Sequence, residues 1–225
     1  DVVRERFLSS HTEVLQYLKG FDPKVVEHSE EWLREEGGGG KTHAFSNGIF
    51  LEKGGINFSD VEGDKLPPSA LKERPELIGS KFRAIGVSVV FHPQNPHVPT
   101  AHANIRFFSS KDLDGKEVWW FGGGFDLTPF YPIREDIIFW HQSAKKLCDD
   151  FAENLYPSFK EQCDEYFYLP HRNETRGVGG IFFDDFTLSN FDNTLRFCEG
   201  VMSVFTSSFF TLFDKRKGMP FTKEE

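Results

Sequence analysis

FRAIGVSVVF at residues 82–91, followed by AHANIRFF at residues 101–108, alternates in character with a period of two. Successive side chains of a strand point to opposite faces, so this period marks β-structure. In the first run Ile85, Val87, Val89 and Phe91 share one face, and Ala84, Gly86, Ser88 and Val90 share the other. Small or apolar residues on both sides predict a strand buried on both faces. In the second run Ala103, Ile105 and Phe107 alternate with His102, Asn104 and Arg106. Pro93, Pro96 and Pro99 lie between the two runs and require a loop there.

On the C-terminal side, residues 117–121 read as a third strand ended by Gly122-Gly123-Gly124. Ile137, Trp140, His141, Ala144, Leu147, Cys148 and Phe151 recur at helical spacing, and Pro157 opens a further helix. Residues 178–183 return to strand character, and Phe191, Leu195, Cys198, Met202, Phe205, Phe209 and Leu212 form a long helical stripe closed by Lys215, Arg216, Lys217 and Gly218. On the N-terminal side, Val3, Phe7, Val14 and Leu18 mark a helix. Asp22-Pro23, a cap followed by Pro at a first helical position, predicts a second helix carrying Val25, Val26, Trp32 and Leu33 and broken by Gly37 to Gly40. Thr42 to Phe45, Ser46-Asn47-Gly48 and Ile49 to Glu52 predict a β-hairpin, and residues 60–75, with Pro67 and Pro68, an irregular surface connection. The sum is an α+β fold on a largely antiparallel sheet, with residues 1–225 forming one domain.

Charge and composition exclude several functions. The net charge is −9, from 35 acidic and 26 basic residues, which opposes non-specific binding to nucleic acid or to an anionic membrane surface. An anionic ligand therefore needs locally focused Arg or Lys. Cys148, Cys163 and Cys198 are far apart and form no CxxC, so neither a disulfide framework nor a Cys-ligated zinc site is indicated, and a reducing compartment fits. No apolar run approaches the ~18 residues of a transmembrane helix, and no secretory or transit pattern opens the chain. The 26 phenylalanines supply large flat side chains for a core or a pocket, the core being the expected use.

Chemistry concentrates in a few segments. His102, Asn104 and Arg106 on one strand face offer a proton donor, an amide anchor and a carboxylate clamp, unless that face is simply half-exposed. Asp126 follows three glycines and precedes Thr128-Pro129; it is either a turn residue or an acid that binds an N–H or stabilises a cation. Arg172 and Arg176 lie in a glycine-flanked loop and either clamp an anion or are solvated. Gly40-Lys41-Thr42 imitates the end of a phosphate-binding loop, but Glu35 stands where the first glycine belongs and Glu35-Glu36 would repel phosphate. No histidine pair has HxxxH or HExxH spacing, and His141 on an apolar helix side reads as a hydrogen-bonded core residue. Asp184-Asp185 read as the end of a strand and the start of a turn.

HPQNPHVPT at residues 92–100 leading into the His102/Asn104/Arg106 strand, residues 119–129 and residues 168–186 resemble the signature blocks of oxygen-dependent coproporphyrinogen III oxidase. Residues 35–40 and EKGGINFS at residues 52–59 fit as well, so the resemblance spans roughly residues 32–186. It implies a flat antiparallel sheet flanked by helices on both faces, a homodimer, and conversion of coproporphyrinogen III to protoporphyrinogen IX in haem biosynthesis. Two propionates are decarboxylated to vinyl groups with O₂ as co-substrate and without flavin, haem or nicotinamide.

By the same resemblance, Asp126 engages the pyrrole N–H groups, His102 donates protons, and Arg106 and Arg176 are catalytic or handle propionates. Ser88, Asn104 and Arg106 match substrate-binding positions. His92, His102, His141 and His171 match residues proposed as metal ligands in some members, and no required metal is expected. Family members continue for several tens of residues past a point like Pro220-Phe221-Thr222, so residues 1–225 are expected to lack a C-terminal segment. The alternative reading is a tetrapyrrole-binding fragment without turnover. The expected compartment is the cytoplasm, with the mitochondrial intermembrane space as the alternative.

Overall fold

The computed structural model describes residues 1–66, 74–111 and 114–224. Alternation builds its centre. Strand β4 (Phe82–Pro93) pairs antiparallel with β5 (Thr100–Lys111), and β5 pairs antiparallel with β6 (Glu117–Thr128). The register sets Val89 beside Ala103 and Ala103 beside Phe125, while one residue along it sets Val90 beside His102 and His102 beside Asp126. One slip of register would exchange these two rows completely.

Among the described residues, β1 (Val26–Leu33), β2 (Gly38–Ser46), β3 (Leu51–Gly63), β4, β5 and β6 form a meander that β9 (Gly179–Phe186) completes beside β6 as a seven-stranded antiparallel sheet. Helices α2 (Arg134–Asp149) and α3 (Leu155–Tyr166) and the small hairpin β7 (Tyr168–Leu169) and β8 (Glu174–Thr175) connect β6 to β9. Helix α1 (Val2–Phe21) precedes the sheet and α4 (Phe191–Arg216) follows it. The fold is α+β, as expected. None of the described helices is long and apolar enough to cross a membrane.

Ile85, Val87, Val89 and Phe91 are buried beneath helices. Phe91 stacks on Phe209 of α4 at 5.1 Å, Phe125 meets the edge of Trp140 of α2 at 5.0 Å, and Phe7 of α1 meets Phe121 at 6.5 Å. Phe7, Phe91, Phe121, Phe183, Phe197, Phe205, Phe209 and Phe213 are fully buried, so phenylalanine is chiefly core here, at about 1.5–3 kcal/mol per buried ring. Asp136 near the start of α2 accepts from Arg216 and Lys215 at the end of α4, at 2.7 and 2.8 Å, which ties the two helices end to end. Cys148, Cys163 and Cys198 are buried free thiols; burial pushes the first two up to about 12, and all three stay protonated.

The structure corrects several local expectations. Strand β4 is buried on one face only, because Ser88 on the other is exposed. The flanking by helices expected on both faces holds, though unequally: α1, α2 and α4 cover one face, while the other meets helix where Tyr166 at the end of α3 stacks on Phe182 at 4.1 Å. Residues 26–33 form edge strand β1 rather than a second helix. Asp22, instead of starting a helix, stops α1, and its carboxylate accepts from the backbone N–H groups of Ile49, Phe50 and Leu51 at 2.9, 2.9 and 3.0 Å. That bonding pins the β2–β3 turn and leaves the following chain to pair with β2. Gly38 to Gly40 lie within β2, where neighbouring chain leaves no room for a side chain: a Cβ on Gly38 would sit 2.1 Å from the Asp60 carbonyl oxygen, and one on Gly40 2.4 Å from the Trp32 indole. Asp60 to Gly63 belong to β3, and Pro67 and Pro68 lie outside the described residues. Finally, Gly122 to Gly124 continue β6 instead of ending it.

Candidate active site

The face of the sheet left open by α1, α2 and α4 carries a cavity of about 420 Å³. Its floor is the alternate set of residues from β4, β5 and β6: Ser88, Asn104, Arg106, His102, Gly124 and Asp126. Its walls are aromatic, from Tyr166, Phe167 and Phe182. With Arg176, which also lines it, the cavity brings together every position expected to act on substrate, although they come from three strands and a loop.

Asp126 is 2% exposed and anionic chemistry centres on it. Its Oδ2 accepts from Nη2 of Arg176 at 2.8 Å and lies 3.1 Å from Nδ1 of its cross-strand neighbour His102. Thus Asp126 is no turn residue. Strand β6 continues past it to Thr128, so its side chain is fixed by the ladder. A buried carboxylate needs such partners, since desolvation without them would neutralise it.

Arg106 forms the second charged centre. Its Nη1 donates to Oδ1 of Asn104 at 3.1 Å, and its Nη2 lies 3.0 Å from Oδ1 of Asp184. The guanidinium rests 5.6 Å from the Phe182 ring centroid. Asn104 is itself held, donating through Nδ2 to the Val87 carbonyl at 3.1 Å. The glycines of β6 explain themselves here: a Cβ on Gly122 would come within 2.6 Å of Nε of Arg106, and one on Gly124, at φ +148°, within 2.1 Å of the Ile181 carbonyl oxygen. The bare backbone lets the cation lie flat on the sheet. In a chain of net charge −9, two arginines in one cavity are the focused positive charge an anionic ligand requires.

A family model for coproporphyrinogen III oxidase matches residues 2–225. The chain belongs to the coproporphyrinogen III oxidase family. Membership makes it an oxidoreductase with a role in haem biosynthesis. The coproporphyrinogen oxidase fold also accounts for residues that the sequence reading assigned elsewhere. Phe182 and Asp184 lie on the cavity side of β9, because Gly124 pairs with Phe182 and alternation carries Asp184 to the same side. The same period-two count that found His102 and Arg106 would have found them, had residues 178–183 not been read as closing before the acids. Tyr166 and Phe167 carried no such signal, since only the packing of α3 beside β9 brings them there.

The histidines disperse. His92 lies beside His102, with ring centroids 6.2 Å apart, and desolvation together with His102 holds it below the ordinary imidazole value. His141 is the hydrogen-bonded core residue expected: Nε2 donates to the Val178 carbonyl at 3.0 Å and Nδ1 accepts from the Tyr156 hydroxyl at 3.1 Å. Burial lowers its affinity for a second proton, which agrees with that neutral form. His171 is exposed between β7 and β8. With both nitrogens of His141 engaged, these four side chains do not fit one metal site. Among the described residues no group of three or more His, Cys, Asp or Glu is arranged to hold a metal ion. Arg172 pairs with Glu174 at 2.5 Å and does not line the cavity. Lys41 lies within β2, paired with Glu31 at 2.6 Å, so Gly40-Lys41-Thr42 is strand and not a phosphate loop.

Proposed function

We propose that this chain catalyses the O₂-dependent decarboxylation of two propionates of coproporphyrinogen III, giving the vinyl groups of protoporphyrinogen IX. The observation that carries the reading is a buried carboxylate, Asp126, paired with Arg176 on the floor of an aromatic-walled cavity that Arg106 also lines. A carboxylated tetrapyrrole presents three things to a protein: anionic side chains, a ring of N–H donors and large apolar faces. Arg106 and Arg176 suit the first, Asp126 the second, and Tyr166, Phe167 and Phe182 the third.

Each turnover balances as propionate + O₂ + H⁺ → vinyl + CO₂ + H₂O₂. The Cβ–H and C–CO₂ bonds break, the C=C bond forms, and the two electrons released reduce O₂. Asp126 accepts a hydrogen bond from a pyrrole N–H and stabilises positive charge as the ring gives up electrons. His102, 3.1 Å from Asp126, supplies a proton to reduced oxygen, and Arg106 holds the propionate against Ser88 and Asn104. No organic cofactor enters this scheme, the acting unit is proposed to be a homodimer, and its compartment the cytoplasm.

Freshly reduced coproporphyrinogen III mixed with the chain in air should yield protoporphyrin fluorescence, with none in an oxygen-free control. Product without oxygen would overturn the O₂ dependence. Tight binding without CO₂ release would leave a tetrapyrrole-binding protein instead.

A further inference from the structure

We infer that Phe167 is the positioning residue for Arg176, an assignment that rests on the reading of the cavity just given. Arg176 stands in the short segment between β8 and β9, and its ordered secondary structure supplies little hold on a long side chain. Its ion pair with Asp126 is also a modest restraint, because 38% of the arginine side chain is exposed. Phe167 supplies what is missing, twice. Its carbonyl accepts from the Arg176 backbone N–H at 2.9 Å, and its ring lies 4.1 Å beneath the Arg176 guanidinium. That is the shortest cation-to-ring distance among the described residues.

With one flat side on Phe167 and Nη2 on Asp126, the guanidinium has one buried donor, Nε–H, with no hydrogen-bond partner. An arginine free to turn would satisfy that donor; the ring holds the plane where it is. Phe167 caps the C-terminal end of α3, with its N–H on the Cys163 carbonyl, so the guanidinium is referred to a helix packed on β9 rather than to its own loop. Phe167 therefore fixes the direction in which Arg176 presents its donors to a carboxylate, without itself taking part in bond making.

The first measurement needs no variant. In the native chain the Arg176 Nε–H resonance, assigned by its loss in Arg176→Lys, should show the ring-current displacement of a proton over an aromatic face. A resonance at the unstructured arginine position would overturn the assignment. In Phe167→Leu that displacement should vanish and affinity for coproporphyrin III, an oxidised probe that cannot turn over, should fall about five- to tenfold. Phe167→Tyr, which keeps the face, should restore both. Native affinity in Phe167→Leu, or no recovery in Phe167→Tyr with an unchanged melting temperature, would overturn it as well. If the native chain does not bind coproporphyrin III, the functional reading fails, while the Arg176 resonance still decides the role of Phe167.

Discussion

On β5, Ala103, Ile105 and Phe107 are at most 6% exposed beneath α-helices, whereas side chains of the alternate row, His102 and Arg106, are 29% and 27% exposed and face a cavity. The same backbone supports both rows. What separates them is what covers each face: phenylalanines of α1 and α4 on one side, and on the other aromatic residues that reach in only from β9 and the end of α3. Stability should therefore reside on one face and chemistry on the other, and substitutions can test that separation directly.

The sharpest blow to the core face is Phe209→Ala. Phe209 is fully buried against Phe91, Phe205 and Phe213, so its truncation should cost about 3–5 kcal/mol in urea unfolding while leaving the affinity of the remaining folded protein for coproporphyrin III near native. A loss of affinity equal to the loss of stability would erase the distinction. On the open face, Asp126→Asn should lower turnover about 100-fold, roughly 3 kcal/mol, with an unfolding midpoint close to native. Its neighbours His102 and Arg176 remain partly hydrated, so folding does not depend on the charge. An unfolded Asp126→Asn would show that the open face is structural.

Arg106→Ala should weaken binding of the tetrapyrrole by about 2 kcal/mol, read as a rise in KM. Stability should shift little, because Asp184 is 57% exposed and its pairing is worth at most about 1 kcal/mol. The smallest effect crosses back to the core side. His11 on α1 is 3% exposed, and burial, with His43 and Lys41 nearby, pushes its imidazole down to about 4. Between pH 6.5 and 4 the unfolded chain takes up a proton that folded His11 refuses, so stability falls as pH falls through that window. His11→Phe should remove about 1–2 kcal/mol of the difference in unfolding free energy between pH 7 and pH 5. An unchanged pH slope would place the acid sensitivity elsewhere.

The legible parts of the molecule share one property: their signal is periodic and local. The alternation of residues 82–91 and 101–108 gave two central strands, and it placed His102, Asn104 and Arg106 on one face. The Asn47-Gly48 turn and the stripes of α2 and α4 were readable for the same reason. Residues 26–33 misled because Asp22-Pro23 carries a helix-start signal, while the partners that give Asp22 its role lie 27 to 29 residues away at Ile49, Phe50 and Leu51. The glycines of β6 misled likewise: the turn propensity is local, but the Arg106 guanidinium over Gly122 and the carbonyls of Asn104 and Ile181 against Gly123 and Gly124 come from the neighbouring strands.

Sequence alone determined the α+β class, the antiparallel centre, the phenylalanine core and, through resemblance, the residues that belong to the cavity. The first three follow from residue type and period, which a linear chain carries intact. Only the tertiary structure decided that one sheet face stays open, that Asp126 meets both His102 and Arg176, and that Phe167 and Phe182 lie against the arginines. Those facts depend on which elements come to rest against one another, and packing between distant segments leaves no period in the chain to read.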